Sequence, residues 1–375
     1  MQALATFYGS KIGIYSGSVP KLLEDLQVLQ PSFVAFVPRL LTKFQAQIKA
    51  QLKQKNRLVQ KLFDYAVKTK TKSLLNGKVD YNTVWDRTVF KPIHRLVGGR
   101  LRFIVTGGAK TASDVKYFSS VVYGCPVFEG YGQTECAAAV TLTITSDISV
   151  GHIGVPAPWA QIKLISVPEL GYLSENNEGE ICLRGTGVMN GYFEQQELTE
   201  QVLDSEGWLK TGDIGRWQPN GNLELIDRKT NFFKLEQGDF VSPERAEAAY
   251  QICPLISQIF IYGRQTESYL VAIIVPVIDR LKEIIGQSEK TKHLLEIDNV
   301  SDLLQNAELK TLALEYLREH GKSNGLNELE QIKNLYFEIE EFTPDNNLLT
   351  PTLKMKRNLI AQKYAEKIDE MYAKS

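Results

Sequence analysis

At 375 residues the chain exceeds what one hydrophobic core usually serves, and its 43% hydrophobic content is ample for two or three domains. A net charge of −1 gives no overall pull toward nucleic acid, so no nucleic-acid partner is expected. Cys125, Cys136, Cys182 and Cys253 lack Cys-x-x-Cys spacing, and His94, His152, His293 and His320 form no His-x₃-His cluster, which argues against a disulfide framework or a zinc site and fits a reducing compartment.

Val19 to Leu29 carries a helix pattern, and Ser32 to Val37 reads as an apolar strand ended by Pro38. A basic helix is then expected from Arg39 to Lys72, with ten Lys/Arg against one acid, Asp64, and Leu41, Phe44, Ile48, Leu52, Val59, Leu62, Phe63 and Ala66 at helical spacing. That composition suits an interfacial helix and peripheral membrane association; the favoured alternative is a long surface helix with a solvated basic face. No run of eighteen apolar residues occurs and no basic stretch with an apolar core follows Met1, so neither a transmembrane helix nor a secretory signal is expected.

Further along, the strand-like run Leu101-Arg102-Phe103-Ile104-Val105 ends in Thr106-Gly107-Gly108-Ala109. A strand ending in two glycines can bring backbone up to a nucleotide, although alone it could be a tight turn. Residues 98–165 alternate apolar runs with glycine turns, as an α/β layer would, and 178–226 is β-rich, with a turn at Pro219-Asn220-Gly221-Asn222. Asp227 opens an α+β lid whose strands are expected at Gln258–Gly263 and Leu270–Pro276, followed by helical patterns from 277 to 335. The expected domains are 1–226 and 227–375.

The segment Glu129-Gly130-Tyr131-Gly132-Gln133-Thr134-Glu135 concentrates nucleotide and metal chemistry on one turn. Gly130 and Gly132 allow backbone to pass close to a flat ring, Tyr131 offers a face to stack on it, and Thr134 and Glu135 supply hard oxygens for phosphate and Mg²⁺. A plain strand-to-helix turn is the alternative reading. Trp208-Leu209-Lys210-Thr211-Gly212-Asp213 follows, then Asp227-Arg228-Lys229-Thr230-Asn231-Phe232-Phe233-Lys234-Leu235 running into Gly238-Asp239-Phe240-Val241-Ser242-Pro243-Glu244, and last Leu349-Thr350-Pro351-Thr352-Leu353-Lys354-Met355-Lys356-Arg357.

In this order the four segments resemble the core motifs of the adenylate-forming (ANL) superfamily, and the Gln-Thr-Glu form resembles its long-chain fatty acyl-CoA synthetase branch. The resemblance implies an α/β fold: part of the large adenylate-forming N-terminal domain, with α/β sheet layers and a β-rich subdomain, then a small mobile α+β C-terminal domain. It implies a ligase that activates a long-chain fatty acid with ATP and CoA through an acyl-adenylate, with Mg²⁺ as cofactor. Lys354 would bridge carboxylate and α-phosphate, with Lys356 as the alternative; Thr134 would meet phosphate and Glu135 the metal. Gly107, Gly108, Gly130, Tyr131 and Gly132 would line the nucleotide, Tyr131 stacking on adenine. Asp213 and Arg228 would hold the ribose, since a carboxylate accepts from two vicinal hydroxyls.

Two positions depart from the family pattern. Thr230 stands where the hinge is commonly Asp or Lys, leaving Lys229 or Thr230 as the pivot, and Lys110 stands where Pro is frequent. The family's Ser/Thr/Gly-rich phosphate loop has no counterpart in the sequence, so the chain is expected to correspond to the C-terminal half to two-thirds of a synthetase. Competing expectations are a non-catalytic paralogue that binds AMP, acyl-AMP or CoA, and a ligase for another carboxylic acid. The expected setting is intracellular, in the cytosol or on the cytosolic face of the endoplasmic reticulum or a peroxisome.

Overall fold

The structure is a computed structural model that describes residues 2–17, 21–77, 80–145, 147–287, 291–351 and 353–373, with the side chains of residues 2–4 and 230 left aside. Val19, at the start of the first expected helix, and Thr352 of the C-terminal motif lie outside the described residues, as does the Thr230 side chain. Contacts divide the chain into two units, one of Met1–Lys163, Cys182–Thr211 and Trp217–Leu225, the other of Leu164–Ile181, Gly212–Arg216 and Ile226–Ser375.

The first unit is built on a five-stranded sheet in the order β1 (Phe33–Phe36), β2 (Phe103–Gly107), β3 (Val127–Tyr131), β4 (Thr141–Leu142), β5 (Val155–Pro156). The first three strands are parallel and the last two antiparallel, so β1 to β3 all end at one edge. Pro38 at a helix N-terminus ends the β1 run because its fixed φ suits the first helical turn. The core joins Phe36 of β1 and Ile104 of β2 to Leu41, Phe44, Phe63, Phe118 and Val122 from the covering helices.

The basic segment expected as one helix from Arg39 to Lys72 is two helices, Pro38–Lys53 and Arg57–Leu75. Asn56 is the physical reason: its side chain accepts from the Val59 amide at 2.9 Å, capping a new helix where the old one stops. Apolar periodicity runs through the break and hides it, since both helices bury a face, Leu41, Phe44 and Ile48 on the first and Phe63, Ala66 and Leu74 on the second.

Strands β6 (Ala160–Ile165), β7 (Glu178–Gly185), β8 (Leu209–Trp217) and β9 (Leu223–Arg228) form a four-stranded sheet in chain order, and β10 (Phe233–Lys234) pairs antiparallel with β11 (Phe240–Val241). The second unit's own sheet is β12 (Ile256–Tyr262), β13 (Leu270–Pro276) and β14 (Ile332–Phe337), antiparallel then parallel. The stretch expected to be helical to residue 335 therefore ends in a strand from Ile332. Ile332, Leu335 and Phe337 are buried there because β14 pairs with the apolar β13, a long-range partner that overrides local pattern.

Every residue of β13 is buried, and its period-two alternation feeds two cores. Leu270, Ala272 and Ile274 face a core completed by Tyr250, Leu281, Leu309 and Leu317, whereas Val271, Ile273 and Val275 face Phe342, Ile360, Tyr364 and Ile368. The second core seats helices Arg357–Lys363 and Ala365–Ala373, and thereby fixes the loop that immediately precedes Arg357.

Candidate functional site

Each unit carries one cluster of the residues singled out from sequence. In the first, β2 and β3 lie in register with Gly107 opposite Gly130, so the two glycine motifs sit side by side at the ends of parallel strands, where open α/β sheets bind ligands. A side chain at Gly107 would meet the Gly130 carbonyl at 2.6 Å, so the pair is close packing as much as ligand access. Gly108 follows with φ +84°. A Cβ on Gly132 would fall 1.4 Å from the Ala138 carbonyl, which shows that this glycine makes room for the protein's own turn.

Tyr131 ends β3 with its side chain buried, and Thr134 stands exposed on the short 3₁₀ turn Thr134–Cys136. Glu135 is held on both sides: an Oε accepts from the Tyr192 hydroxyl at 2.9 Å, and its carbonyl accepts from the Met189 amide at 2.8 Å. Tyr192 thereby orients the carboxylate. Desolvation first, then Glu135, raises the Tyr192 pKa, so the hydroxyl stays a donor. Gln133 donates to the Thr211 carbonyl at 2.9 Å, tying the turn to the Trp208–Asp213 segment.

Beneath this turn Glu129 is buried against Lys116, 3.8 Å away, and accepts from the Thr111 amide at 3.0 Å. Burial pushes Glu129 up and Lys116 down, while their attraction opposes both shifts. No sequence pattern flagged Lys116, because its partner is thirteen residues away in the chain and meets it only through the β3 to helix packing.

The hydroxyl of Thr134 and the carboxylate of Glu135 are the hard-oxygen chemistry that Mg²⁺ takes, and Mg²⁺ commonly uses one or two carboxylates with substrate phosphates and water. Among the described residues no group of three or more His, Cys, Asp or Glu forms a closed metal cage. The donor set thus fits an open site completed by substrate.

In the second unit Asp213 on β8 is buried, and Arg228 at the end of β9 approaches its Oδ1 through Nε at 3.3 Å while its guanidinium stays about half exposed. Lys354 keeps an exposed flank and lies in the field of Arg228, Asp213 and Glu244. Desolvation first, then the Arg228 charge, holds its ammonium below the usual lysine range, with Asp213 and Glu244 opposing. Lys354 thus lies within electrostatic range of the Asp213–Arg228 pair although 141 positions separate Asp213 from Lys354.

The Lys354 loop is tightly turned. Thr350 donates its amide to the Lys354 carbonyl at 2.8 Å and accepts the Lys354 amide on Oγ1 at 3.0 Å, and Leu353 between them has φ +62°. A branched residue in the left-handed region stores strain of about 1–3 kcal/mol that the surroundings must hold. Lys356, the sequence alternative, gives its ammonium to Asn347 of its own loop. Arg357, the last residue of the C-terminal motif, donates through Nη1 to both oxygens of buried Glu247 at 2.9 and 3.0 Å and through Nη2 to the Ile261 carbonyl at 2.6 Å.

Lys229 pairs with Glu169 at 3.3 Å and Glu180 at 3.5 Å; partial burial works against its charge, but the two carboxylates outweigh it and raise its pKa. Next to it, buried Asp227 accepts from the Ser242 hydroxyl and from the amides of Arg228 and Glu244, while Ser242 caps helix Pro243–Gln251 through the Arg245 amide at 3.1 Å. Glu244 is solvent-exposed on its outer side, yet desolvation by the protein around its carboxyl first, then the charges of Asp227 and Glu247, push it up to about 7.

Comparison with known proteins bears on both clusters. The family model for AMP-binding enzymes matches residues 1–193. The chain is 39% identical over 366 residues to long-chain-fatty-acid–CoA ligase 1 of Homo sapiens, covering 98% of this chain and 51% of that protein. It is 38% identical over 374 residues to the peroxisomal long chain acyl-CoA synthetase 6 of Arabidopsis thaliana, covering 99% and 52%. The chain thus spans about half the length of the curated relatives it matches. Among solved structures, the adenylation domain of a Mycobacterium chelonae carboxylate reductase superposes with a TM-score of 0.71 at 26% identity, over 96% of this chain and 49% of that one. The corresponding domain from Segniliparus rugosus, in complex with AMP and a co-purified carboxylic acid, gives 0.68 at 25% identity over 96% and 50%. The chain belongs to the AMP-binding enzyme family, within the adenylate-forming superfamily.

Proposed function

We propose that the chain takes part in the ATP-dependent activation of long-chain fatty acids to acyl-CoA. In this reaction the fatty carboxylate attacks the α-phosphate of ATP, forming acyl-AMP and releasing pyrophosphate, and the thiol of CoA then displaces AMP. The observation that carries the reading is the convergence of Lys354 with the Asp213–Arg228 pair, from motifs 141 residues apart, in a chain close to 40% identical to long-chain ligases.

Both half-reactions concentrate negative charge in the transition state, so preorganised cations are the expected catalysts. Lys354 is assigned to the carboxylate and α-phosphate, Asp213 and Arg228 to the ribose hydroxyls, Tyr131 to adenine, and Thr134 to phosphate. Gly107, Gly108, Gly130 and Gly132 supply backbone edges for the nucleotide. Mg²⁺, held by Glu135 and substrate oxygens, would neutralise phosphate charge. Residues 1–226 are read as part of the AMP-binding domain and 227–375 as its C-terminal domain, with Lys229 and Thr230 at the hinge. Four buried cysteine thiols and a peroxisomal relative support an intracellular setting, in the cytosol or on the cytosolic face of an organelle.

The test separates the half-reactions. Lys354→Ala is expected to lower palmitate-dependent acyl-AMP formation by a factor on the order of 10²–10³ and to leave thioester formation from supplied palmitoyl-AMP largely intact. Equal loss of both steps would reject the role of Lys354, and the same selective loss from Lys356→Ala alone would transfer it. Preference for acetate or an aryl acid over palmitate in competition on kcat/KM would reject the long-chain substrate, since each buried methylene contributes about 0.8 kcal/mol.

A further inference from the structure

Strand β7 carries two acids, Glu178 and Glu180, on one face, since side chains two apart in a strand point the same way. Glu178 meets the partly exposed Arg216 at 2.6 Å, a surface pair of small consequence. Glu180 is differently placed. Its side chain is only 12% exposed and its two oxygens serve separate partners: Oε1 accepts from the Gly212 amide at 3.2 Å, and Oε2 lies 3.5 Å from the Lys229 ammonium. A carboxylate withdrawn this far from water needs such partners, because an unpaired buried charge is costly.

The partners' positions in the chain give the arrangement its meaning. Gly212 immediately precedes Asp213 on β8, and Lys229 immediately follows Arg228 at the end of β9. One carboxylate therefore grips the neighbour of each member of the Asp213–Arg228 pair, whose own contact is 3.3 Å. Gly212 has φ +70°, so the bond to Glu180 falls where the backbone beside Asp213 is freest to turn. The second acid on Lys229, Glu169, is 57% exposed, and solvent screens that contact far more than the one to Glu180. All of these residues belong to the second unit.

We propose that Glu180 is the positioning residue of the ribose site: it holds β8 and the end of β9 at the spacing that lets Asp213 and Arg228 meet the same two hydroxyls, without touching the nucleotide itself. The inference rests on the assignment of Asp213 and Arg228 to ribose. It adds that their geometry is set from outside the pair, through the residue next to each.

Calorimetric titration of the 375-residue protein with AMP and with 2′,3′-dideoxy-AMP tests it, because only the first carries the hydroxyls. The wild type should prefer AMP, and Asp213→Ala should lose that preference. Glu180→Ala should weaken AMP about tenfold, the scale of one charge-assisted hydrogen bond, and leave the dideoxy nucleotide within twofold. The nearly isosteric Glu180→Gln keeps an acceptor for Gly212 but no charge for Lys229, so it should fall between. Lys229→Met should match Glu180→Gln, and the two together should be no worse than either alone. Glu169→Gln should change neither affinity. Equal weakening of both nucleotides by Glu180→Ala and Glu180→Gln would reduce Glu180 to a general structural role and overturn the proposal. So would an AMP preference lost in Asp213→Ala but kept in both Glu180 variants. A wild type that binds the two nucleotides alike, or neither, would overturn the ribose assignment and this inference with it.

Discussion

Replacing Arg357 with alanine deletes three hydrogen bonds at once, two to the carboxylate of Glu247 and one to the Ile261 carbonyl, together with the stacking of the guanidinium 4.9 Å above Phe260. Glu247 remains, 6% exposed, accepting from the Ile261 amide at 2.8 Å. Removing one partner of such a buried pair costs about 3–5 kcal/mol, because the other charge is left uncompensated. Arg357 lies three residues beyond Lys354, so the loss should appear first as opening of the Lys354 loop and the helix that follows it. At about 1.4 kcal/mol per tenfold, amide exchange across residues 348–363 should accelerate by roughly two to three and a half orders of magnitude, read by hydrogen–deuterium exchange mass spectrometry. Burial already raises the Glu247 pKa, and loss of Arg357 raises it further above its unfolded value. The folded variant then takes up a proton more readily than the unfolded chain, so the destabilisation is fully present above the folded pKa and shrinks as pH falls through it. Arg357→Met/Glu247→Leu, which removes both charges, should recover most of the protection. Less than fivefold acceleration in Arg357→Ala, or equal loss in the double variant, would refute the clamp.

Gly132→Ala should be strongly destabilising, by about 1–3 kcal/mol or more, because its methyl would lie 1.4 Å from a backbone carbonyl that cannot rotate away; an unchanged Tm would show that the turn is looser than drawn. Glu244→Gln should stabilise the protein above pH 7 and lose that advantage toward pH 5. The wild-type carboxyl has a folded pKa near 7, above its unfolded value, so its ionisation opposes folding at higher pH and this cost is relieved as pH falls. Urea midpoints measured from pH 5 to 8.5 would check this, and a pH-independent difference would count against the crowding of Glu244 by Asp227 and Glu247.

The family, its motif order and most elements of the fold were legible in the sequence because they rest on local chemistry. Glycines at strand ends, the apolar run Leu270–Pro276 and the Thr-Gly-Asp and Thr-Pro-Thr-Leu-Lys segments each announce themselves within a few residues. Most of what the tertiary structure decided depends on partners distant in the chain. Pairing with β13 made Ile332–Phe337 a strand where the local pattern continued as helix. The Asn56 cap that divided one expected helix into two is local, but apolar periodicity running through the break hid it. The same holds at the candidate site. The sequence named Lys354 and left Lys356 open; the fold directs Lys356 to Asn347 and sets Lys354 in the field of Arg228 and Asp213. It also made Arg357, the last residue of that motif, the partner of Glu247, 110 positions away. Local propensity cannot encode such a pair, because its energy exists only once both charges have been removed from water together.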